Sequence, residues 1–246
     1  MKKIMSLLLV TMISVPLLPQ EKFEKDIIKT NSGDLILTFI GHGTLMFEYN
    51  GLTIHIDPVM QEADYKNMPD ADLILLTHEH GDHLDINAIN HILKDDCPVI
   101  MTQICLNNLG DFKPAIVMKN GDSKTVKSIP VEAIPAYNIQ HKRPSGDPFH
   151  PKGQGNGYIL TLGGKRVLVA GDTENIPEIK ELKNIDIAFL PMNLPYTMSP
   201  EMVADAARSF RPKILYPYHY GNTNTDELIE LLKDEKDIEV RIRELQ

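Results

Sequence analysis

A β-hairpin followed by a short apolar run occurs twice in this chain, about 115 residues apart. In the first copy, residues 44–49 and 52–57 are rich in β-formers and are joined by Asn50-Gly51, a dipeptide suited to a two-residue hairpin turn. The run ADLILLT follows at residues 71–77. In the second copy, residues 158–162 and 165–170 flank Gly163-Gly164, and IDIAFL follows at residues 185–190. From Asp57 to Asp72 is 15 residues, and from Asp172 to Asp186 is 14. A continuous apolar run of this length is expected of a strand covered on both faces. Both copies are satisfied if the chain forms two similar β-rich halves facing each other.

Residues 34–40, 99–101 and 131–137 also read as strands. Leu84, Ile86, Ile89, Ile92 and Leu93 recur at near-helical spacing. Ser199-Pro200 opens a helix, residues 214–216 form a strand and residues 226–233 a helix. A final strand alternates Ile238, Val240 and Ile242 with Glu239, Arg241 and Arg243. No low-complexity linker interrupts residues 33–246, so one domain is expected over residues 21–246. Ahead of it, Lys2 and Lys3 precede a mostly apolar stretch at residues 4–18, broken by Pro16 and Pro19. This layout predicts a secretory signal over residues 1–20 and a periplasmic or extracellular location. A buried N-terminal helix of a cytoplasmic protein is the alternative. No run of 18 or more apolar residues indicates a stable membrane span.

Composition narrows the function. The 34 acidic residues exceed the 25 basic ones, giving a formal charge of −9, which disfavours a nucleic-acid binder. The two cysteines, Cys97 and Cys105, flank a predicted strand that holds them beyond disulfide reach, so two buried free thiols are expected. Two cysteines cannot build a Cys-rich zinc site. Nine histidines beside 34 carboxylates leave a His/Asp metal site open.

The chemistry concentrates in Thr77-His78-Glu79-His80-Gly81-Asp82-His83, where an apolar strand ends and a helix begins. His78 and His80 can point the same way from an extended segment. Gly81 permits a tight turn, after which Asp82 and His83 can face a second point nearby. One metal ion could take His78 and His80, and a second Asp82 and His83. Imidazole nitrogens mixed with carboxylate oxygens suit zinc, manganese or iron, and suit calcium poorly.

His78-x-His80-x-Asp82-His83 resembles the signature of the metallo-β-lactamase-fold superfamily. Gly171-Asp172-Thr173 and Tyr216-Pro217-Tyr218-His219-Tyr220-Gly221 resemble its later metal-ligand motifs. Together with Gly41-His42-Gly43 and Ile56-Asp57-Pro58, the set is most similar to the L-ascorbate-6-phosphate-lactonase-like branch of metal-dependent hydrolases. The resemblance covers roughly residues 34–221. It implies an α/β fold, a four-layer αββα sandwich of two pseudo-symmetric halves with the metals at the edge between them. It assigns His78 and His80 to a first metal, Asp82, His83 and His219 to a second, and Asp172 to a bridge between them. It also places His42 near the metals, as a candidate substrate contact.

The chain departs from the family at one point. The family supplies a further histidine to the first metal after the strand at residues 131–137, and here Asn138 stands there. His150 is the favoured replacement, with His141, Asn138 itself or water as alternatives. The loop from Asn138 to Gly157 carries Lys142, Arg143 and Lys152; it either walls the pocket and offers cations to an anionic substrate or is an exposed turn-rich loop. Tyr196 follows the second apolar run and is a candidate substrate contact with Asn138. His55 and His91 are expected to be structural.

These features predict a hydrolase that uses one or two divalent ions, zinc foremost with manganese or iron as alternatives. A metal-activated hydroxide would attack an ester, lactone, amide or phosphoester of a small molecule, with Asp82, His83 and Asp172 at the reacting centre. Two other readings compete: an iron-dependent oxidoreductase on the same scaffold and a non-catalytic metal-binding or interaction protein. The flavodiiron form is disfavoured because it normally has a glutamate where His80 stands.

Overall fold

The computed structural model describes residues 23–113 and 115–245. The expected signal segment lies outside the described residues. The first half runs β1 (Glu24–Thr30), β2 (Gly33–Gly41), β3 (Thr44–Tyr49), β4 (Leu52–Ile56), β5 (Leu73–Leu75), α1 (Ile86–Ile92), β6 (Val99–Met101), α2 (Gln103–Leu109) and β7 (Ala115–Val117). The second runs β8 (Ser123–Val126), β9 (Ile129–Ala136), β10 (Gly155–Leu162), β11 (Lys165–Val169), α3 (Pro177–Lys180), β12 (Ile187–Pro191), α4 (Pro200–Phe210), β13 (Ile214–Tyr218), α5 (Thr225–Leu232) and β14 (Glu239–Val240).

Each half forms a seven-stranded sheet in sequential order, β1 to β7 and β8 to β14. In both sheets the first four strands pair antiparallel and the last three join in parallel. The two-residue turns Asn50-Gly51 and Gly163-Gly164 set the hairpin registers, pairing Tyr49 with Leu52 and Leu162 with Lys165. The repeat in the sequence is therefore a repeat in the fold.

The sheets pack face to face on one core. Leu35, Leu37, Phe47 and Leu75 from the first sheet join Val131, Tyr158, Val167 and Phe189 from the second. Alternation along β5 explains its unbroken apolar run. Leu73 and Leu75 face this central core, while Ile74 and Leu76 join a second cluster with Ala88, Ile89 and Ile92 of α1 and Cys105 of α2. Helices α3, α4 and α5 add Ile179, Val203 and Leu228 on the second sheet. Burying a leucine or phenylalanine side chain stabilises by about 1.5–3 kcal/mol, so these interdigitated faces fix both sheets.

Helix boundaries follow capping chemistry. Asp85 accepts from Asn87 N at the start of α1, and Ser199 accepts from Met202 N before Pro200 opens α4. Strand β1 was not anticipated; its pattern is charged and mostly exposed, as suits an edge strand. The predicted final strand shortens to Glu239–Val240. Beyond it, Arg241 and Arg243 turn to Asp26 of β1 at 2.9 and 2.8 Å, which ties the chain end to the first sheet. Cys97 and Cys105 are free and buried, and burial pushes both thiols up to about 11.

Candidate metal centre

The chemistry-bearing residues follow strand ends from both sheets. His42 follows β2, Asp57 follows β4, and His78 to His83 lie between β5 and α1. Asn138 and His150 lie between β9 and β10, Asp172 follows β11, and His219 follows β13. Three contacts sew the halves together here. Asn156 N donates to Thr77 O at 2.9 Å, Tyr158 Oη to Leu76 O at 2.9 Å, and His219 N to His42 O at 3.1 Å.

Asp57 organises the first half of the site. Its carboxylate is fully buried and accepts from Thr77 N at 2.7 Å and Thr77 Oγ1 at 2.6 Å. It also lies 2.8 Å from His83 Nδ1. Because Thr77 Oγ1 gives its proton to Asp57, it accepts from His78 Nδ1, 3.0 Å away. Both imidazoles therefore carry the proton on Nδ1 in these contacts and present Nε2 to the interior. Gly43 makes room for His83, since a Cβ there would lie 2.5 Å from His83 Cε1. Left-handed backbone at His42, Asp57 and His219 concentrates strain around the same centre.

Asp172 sits among the imidazoles. Its Oδ2 lies 3.2 Å from His150 Nε2, 3.5 Å from His219 Nε2 and 4.0 Å from His78 Nε2. Its Oδ1 lies 3.4 Å from His83 Nε2. On one side, ligand atoms of His78, His80 and His150 lie within 4.8 Å of one another, and His78 Nε2 is 3.1 Å from His80 Nδ1. On the other, ligand atoms of His42, Asp82 and His219 meet the same limit. Asp82 Oδ2 lies 3.3 Å from His42 Nε2, 3.5 Å from His219 Nε2 and 3.9 Å from His83 Nε2. Sequence reasoning placed His42 beside the metals as a substrate contact; the structure brings it within the Asp82–His219 group, its ring 3.7 Å from that of His219.

His150, not Asn138, reaches the first group. Asn138 is buried, and its amide is spent on protein contacts instead of facing the cavity. Its Nδ2 donates to Glu174 Oε1 at 3.2 Å and to Tyr196 O at 2.9 Å. Its Oδ1 accepts from His150 N and lies against His150 Nδ1, both at 2.8 Å. Two acceptors on Nδ2 fix which way the amide points, so His150 Nδ1 donates and Nε2 faces Asp172. His141 is drawn away by Glu174, at 2.8 Å. Glu174 also accepts from the backbone N of Ile139, Gln140 and His141, which pins the loop.

Asp57 and Glu174 were not assigned roles from sequence. Ile56-Asp57-Pro58 marked a motif but not its contact with His83, 26 positions away; for Glu174 there was no signal beyond its nearness to Asp172. Tyr196 borders an open cavity of about 510 Å³, together with Arg143, Phe149, Asn193 and the faces of His42, His80, Asp82, His150, Asp172 and His219. Lys152 is held elsewhere, by Glu178 at 2.8 Å and Tyr137 at 3.1 Å. His55 is buried with Nε2 3.1 Å from Pro69 O, and His91 lies in α1, both away from the centre.

The electrostatics favour cations. Burial opposes charge on His83, yet the carboxylates of Asp172, Asp57 and Asp82 outweigh it and hold the imidazole up at about 9. Burial also opposes ionisation of Asp172, but His219, His83, His150 and His78 hold it well below the usual carboxylate range. Asp82 is lowered against burial by His219 and His42. Burial lowers His78 well below the usual imidazole range. His83 Nε2, Asp172 Oδ1 and both ring nitrogens of His219 are buried without a hydrogen-bond partner. Orphaned buried polar atoms are costly, and these converge around one carboxylate. A metal ion would satisfy them, so the donor set fits a metal.

The β-lactamase superfamily domain model matches residues 36–219. A UPF0173 metal-dependent hydrolase of Geobacillus sp. (strain WCH70) is 33% identical over 196 residues, covering 75% of this chain and 85% of that one. The crystal structure of a "putative metal-dependent hydrolase" from Parabacteroides distasonis is 53% identical with a TM-score of 0.86, covering 92% of this chain and all of that one. Igni18, a metallo hydrolase from Ignicoccus hospitalis, shares the fold at 24% identity and a TM-score of 0.69, covering 86% of this chain and 95% of that one.

Proposed function

The chain belongs to the β-lactamase superfamily domain family and is a metal-dependent hydrolase, and on that footing we propose that its reaction centre is the group around Asp172, acting on a small-molecule ester, lactone, amide or phosphoester. His78, His80 and His150 would hold a first ion, and Asp82, His83 and His219 a second. Asp172, whose carboxylate faces histidines of both groups, would serve both. When bound, such ions lower the pKa of water toward neutrality and stabilise negative charge on the substrate oxygen. The mixed imidazole and carboxylate set supports zinc, with manganese or iron as alternatives.

The chain's own residues divide the remaining work. Asp57, Thr77 and Asn138 fix ring orientation through Nδ1, leaving Nε2 free on His83, His78 and His150. Asp82 is half exposed to the cavity, where it can orient a water and take its proton. His42 steadies Asp82 from the facing loop. The observation that carries the proposal is the convergence of unpartnered His83 Nε2, His219 Nε2 and Asp172 Oδ1 from separate strand ends.

The test is metal analysis of protein purified without added metal, followed by an ester, lactone and phosphodiester screen. Asp172→Ala and His78→Ala should remove turnover while circular dichroism and the melting profile persist. Full activity in both purified variants would overturn the assignment. Lys2, Lys3 and the apolar stretch at residues 4–18 also support export of the chain; fractionation of producing cells should find it outside the cytoplasm, and recovery in the cytoplasm alone would reject export.

A further inference from the structure

The six arginines are not treated alike. Arg166 pairs with Glu132, Arg208 with Glu235, and Arg211 with Glu235 and Asp237. Arg241 pairs with Glu239 and Asp26, and Arg243 with Glu24 and Asp26. Arg143 has no carboxylate partner among the described residues, in a chain of formal charge −9. It is also the basic side chain that lines the cavity over the Asp172 centre.

Arg143 is placed by its own loop and by an aromatic wall. Arg143 N donates to Asp147 O at 2.7 Å, and Gly146 N donates back to Arg143 O at 2.9 Å. The guanidinium carbon lies 5.1 Å from the centroid of the Phe149 ring, and Nη2 donates to Phe149 O at 3.2 Å. Tyr196 meets the same Phe149 ring edge-on at 5.1 Å. Stacking orients a guanidinium while leaving most of its five N–H donors free, and that planar fork matches an oxyanion.

We propose that Arg143, seated on the Phe149–Tyr196 wall, is an anion subsite, and that the substrate carries a carboxylate or phosphate group set apart from the bond that is cut. The inference rests on the hydrolase reading of the Asp172 centre and adds the substrate class to it. The aromatic wall suits a flat or apolar stretch between that anion and the scissile bond.

The test separates the subsite from the metal centre. Metal-loaded wild type and Arg143→Gln are titrated with phenylphosphonate, 3-carboxyphenylphosphonate and benzene-1,3-bisphosphonate. One phosphonate is offered to the metal centre in every case, so only the second anion reads Arg143. Wild type should hold at least one of the probes with two anionic groups about 10- to 100-fold more tightly than phenylphosphonate, as expected for a charge-assisted pair. Arg143→Gln should erase that preference while leaving phenylphosphonate affinity within about threefold. A preference for the carboxylate probe or for the bisphosphonate identifies the group. Equal binding of all three by wild type, or a preference that survives in Arg143→Gln, overturns the subsite. If phenylphosphonate fails to bind but a probe with two anionic groups binds through Arg143, the subsite stands and the metal-centre reading falls. If nothing binds, both fall.

Discussion

The two halves share a register and diverge in what they do with it. Asp72 and Asp186 are matched partners. Asp72 accepts from Thr53 N at 2.8 Å and Asp186 from Arg166 N at 3.0 Å. Asp72 also takes Lys94 at 2.9 Å, and Asp186 takes Lys213 at 2.7 Å and Lys165 at 3.6 Å. Counted from the hairpin turns, however, the counterpart of Asp57 is Ala170, and Asp172 lies two residues further along. That offset separates their roles. Asp57 closes onto Thr77 and His83 and is consumed in positioning them. Asp172 passes Gly171, whose φ of +65° turns the chain, and enters the space between imidazoles with Oδ1 unpartnered. At these two offset positions, the first half's aspartate braces the site and the second half's is its central acid.

The largest expected effect separates these two aspartates. Asp172→Ala should lower kcat/KM by about a thousandfold or more with little loss of thermal stability, because it removes several kcal/mol of metal-dependent stabilisation. Asp57→Ala should lower activity about 10- to 100-fold, as second-layer partners of metal-binding histidines do. It should also destabilise by about 3 kcal/mol, since Thr77 and His83 lose buried partners. Steady-state kinetics and thermal melts of both variants check the division. Equal behaviour of the two would break the comparison.

Asn138→Ala sharpens it on the other side. Loss of the Oδ1 contact should free the His150 ring and weaken metal affinity about 10- to 100-fold, with the group around Asp82 and His219 less affected. Competition with a chelator, followed by metal analysis, reads this. Unchanged affinity would show that His150 needs no brace.

One pH effect should arise from a buried imidazole that only the first half carries at this position. Register matches His55 with Leu168, and burial lowers the His55 imidazole to about 4. The unfolded chain takes up this proton near the ordinary value of about 6.5, so it binds more protons than the folded chain between 6.5 and 4. The stability contribution is therefore full above about 6.5, falls as pH drops, and is gone near 4, a change of about 3 kcal/mol. His55→Leu should flatten the stability profile over that window in denaturant titrations. An unaltered slope would contradict the assignment.

The smallest effects concern the matched pair. Asp72→Ala and Asp186→Ala should each cost about 1 kcal/mol by losing a backbone acceptor. Equal losses in chemical denaturation would support the common register, and a large disparity would not.

Sequence revealed what is local. Asn50-Gly51 and Gly163-Gly164 announced both hairpins, and the unbroken runs around Leu75 and Phe189 announced buried strands. The run from His78 to His83 announced the centre because its ligands crowd into one turn. What escaped notice depends on distant partners. The Asp57–His83 contact joins a hairpin end to a turn beyond the next strand, and the choice of His150 over His141 rests on Asn138 and Glu174 fixing a long loop. The two-residue offset of Asp172 was hidden because aspartate spacing alone, 15 against 14, made Asp57 look like its counterpart. Strand β1 was missed because its charged, exposed face lacks the apolar alternation of a half-buried strand.

The central claim is that separate strand ends gather imidazoles and carboxylates around metal. Anomalous X-ray diffraction from crystals of metal-loaded protein tests it most directly. Peaks should lie beside Asp172, one toward His78, His80 and His150 and one toward Asp82, His83 and His219. Metal bound only elsewhere, or none near Asp172 at saturating concentration, would contradict the account.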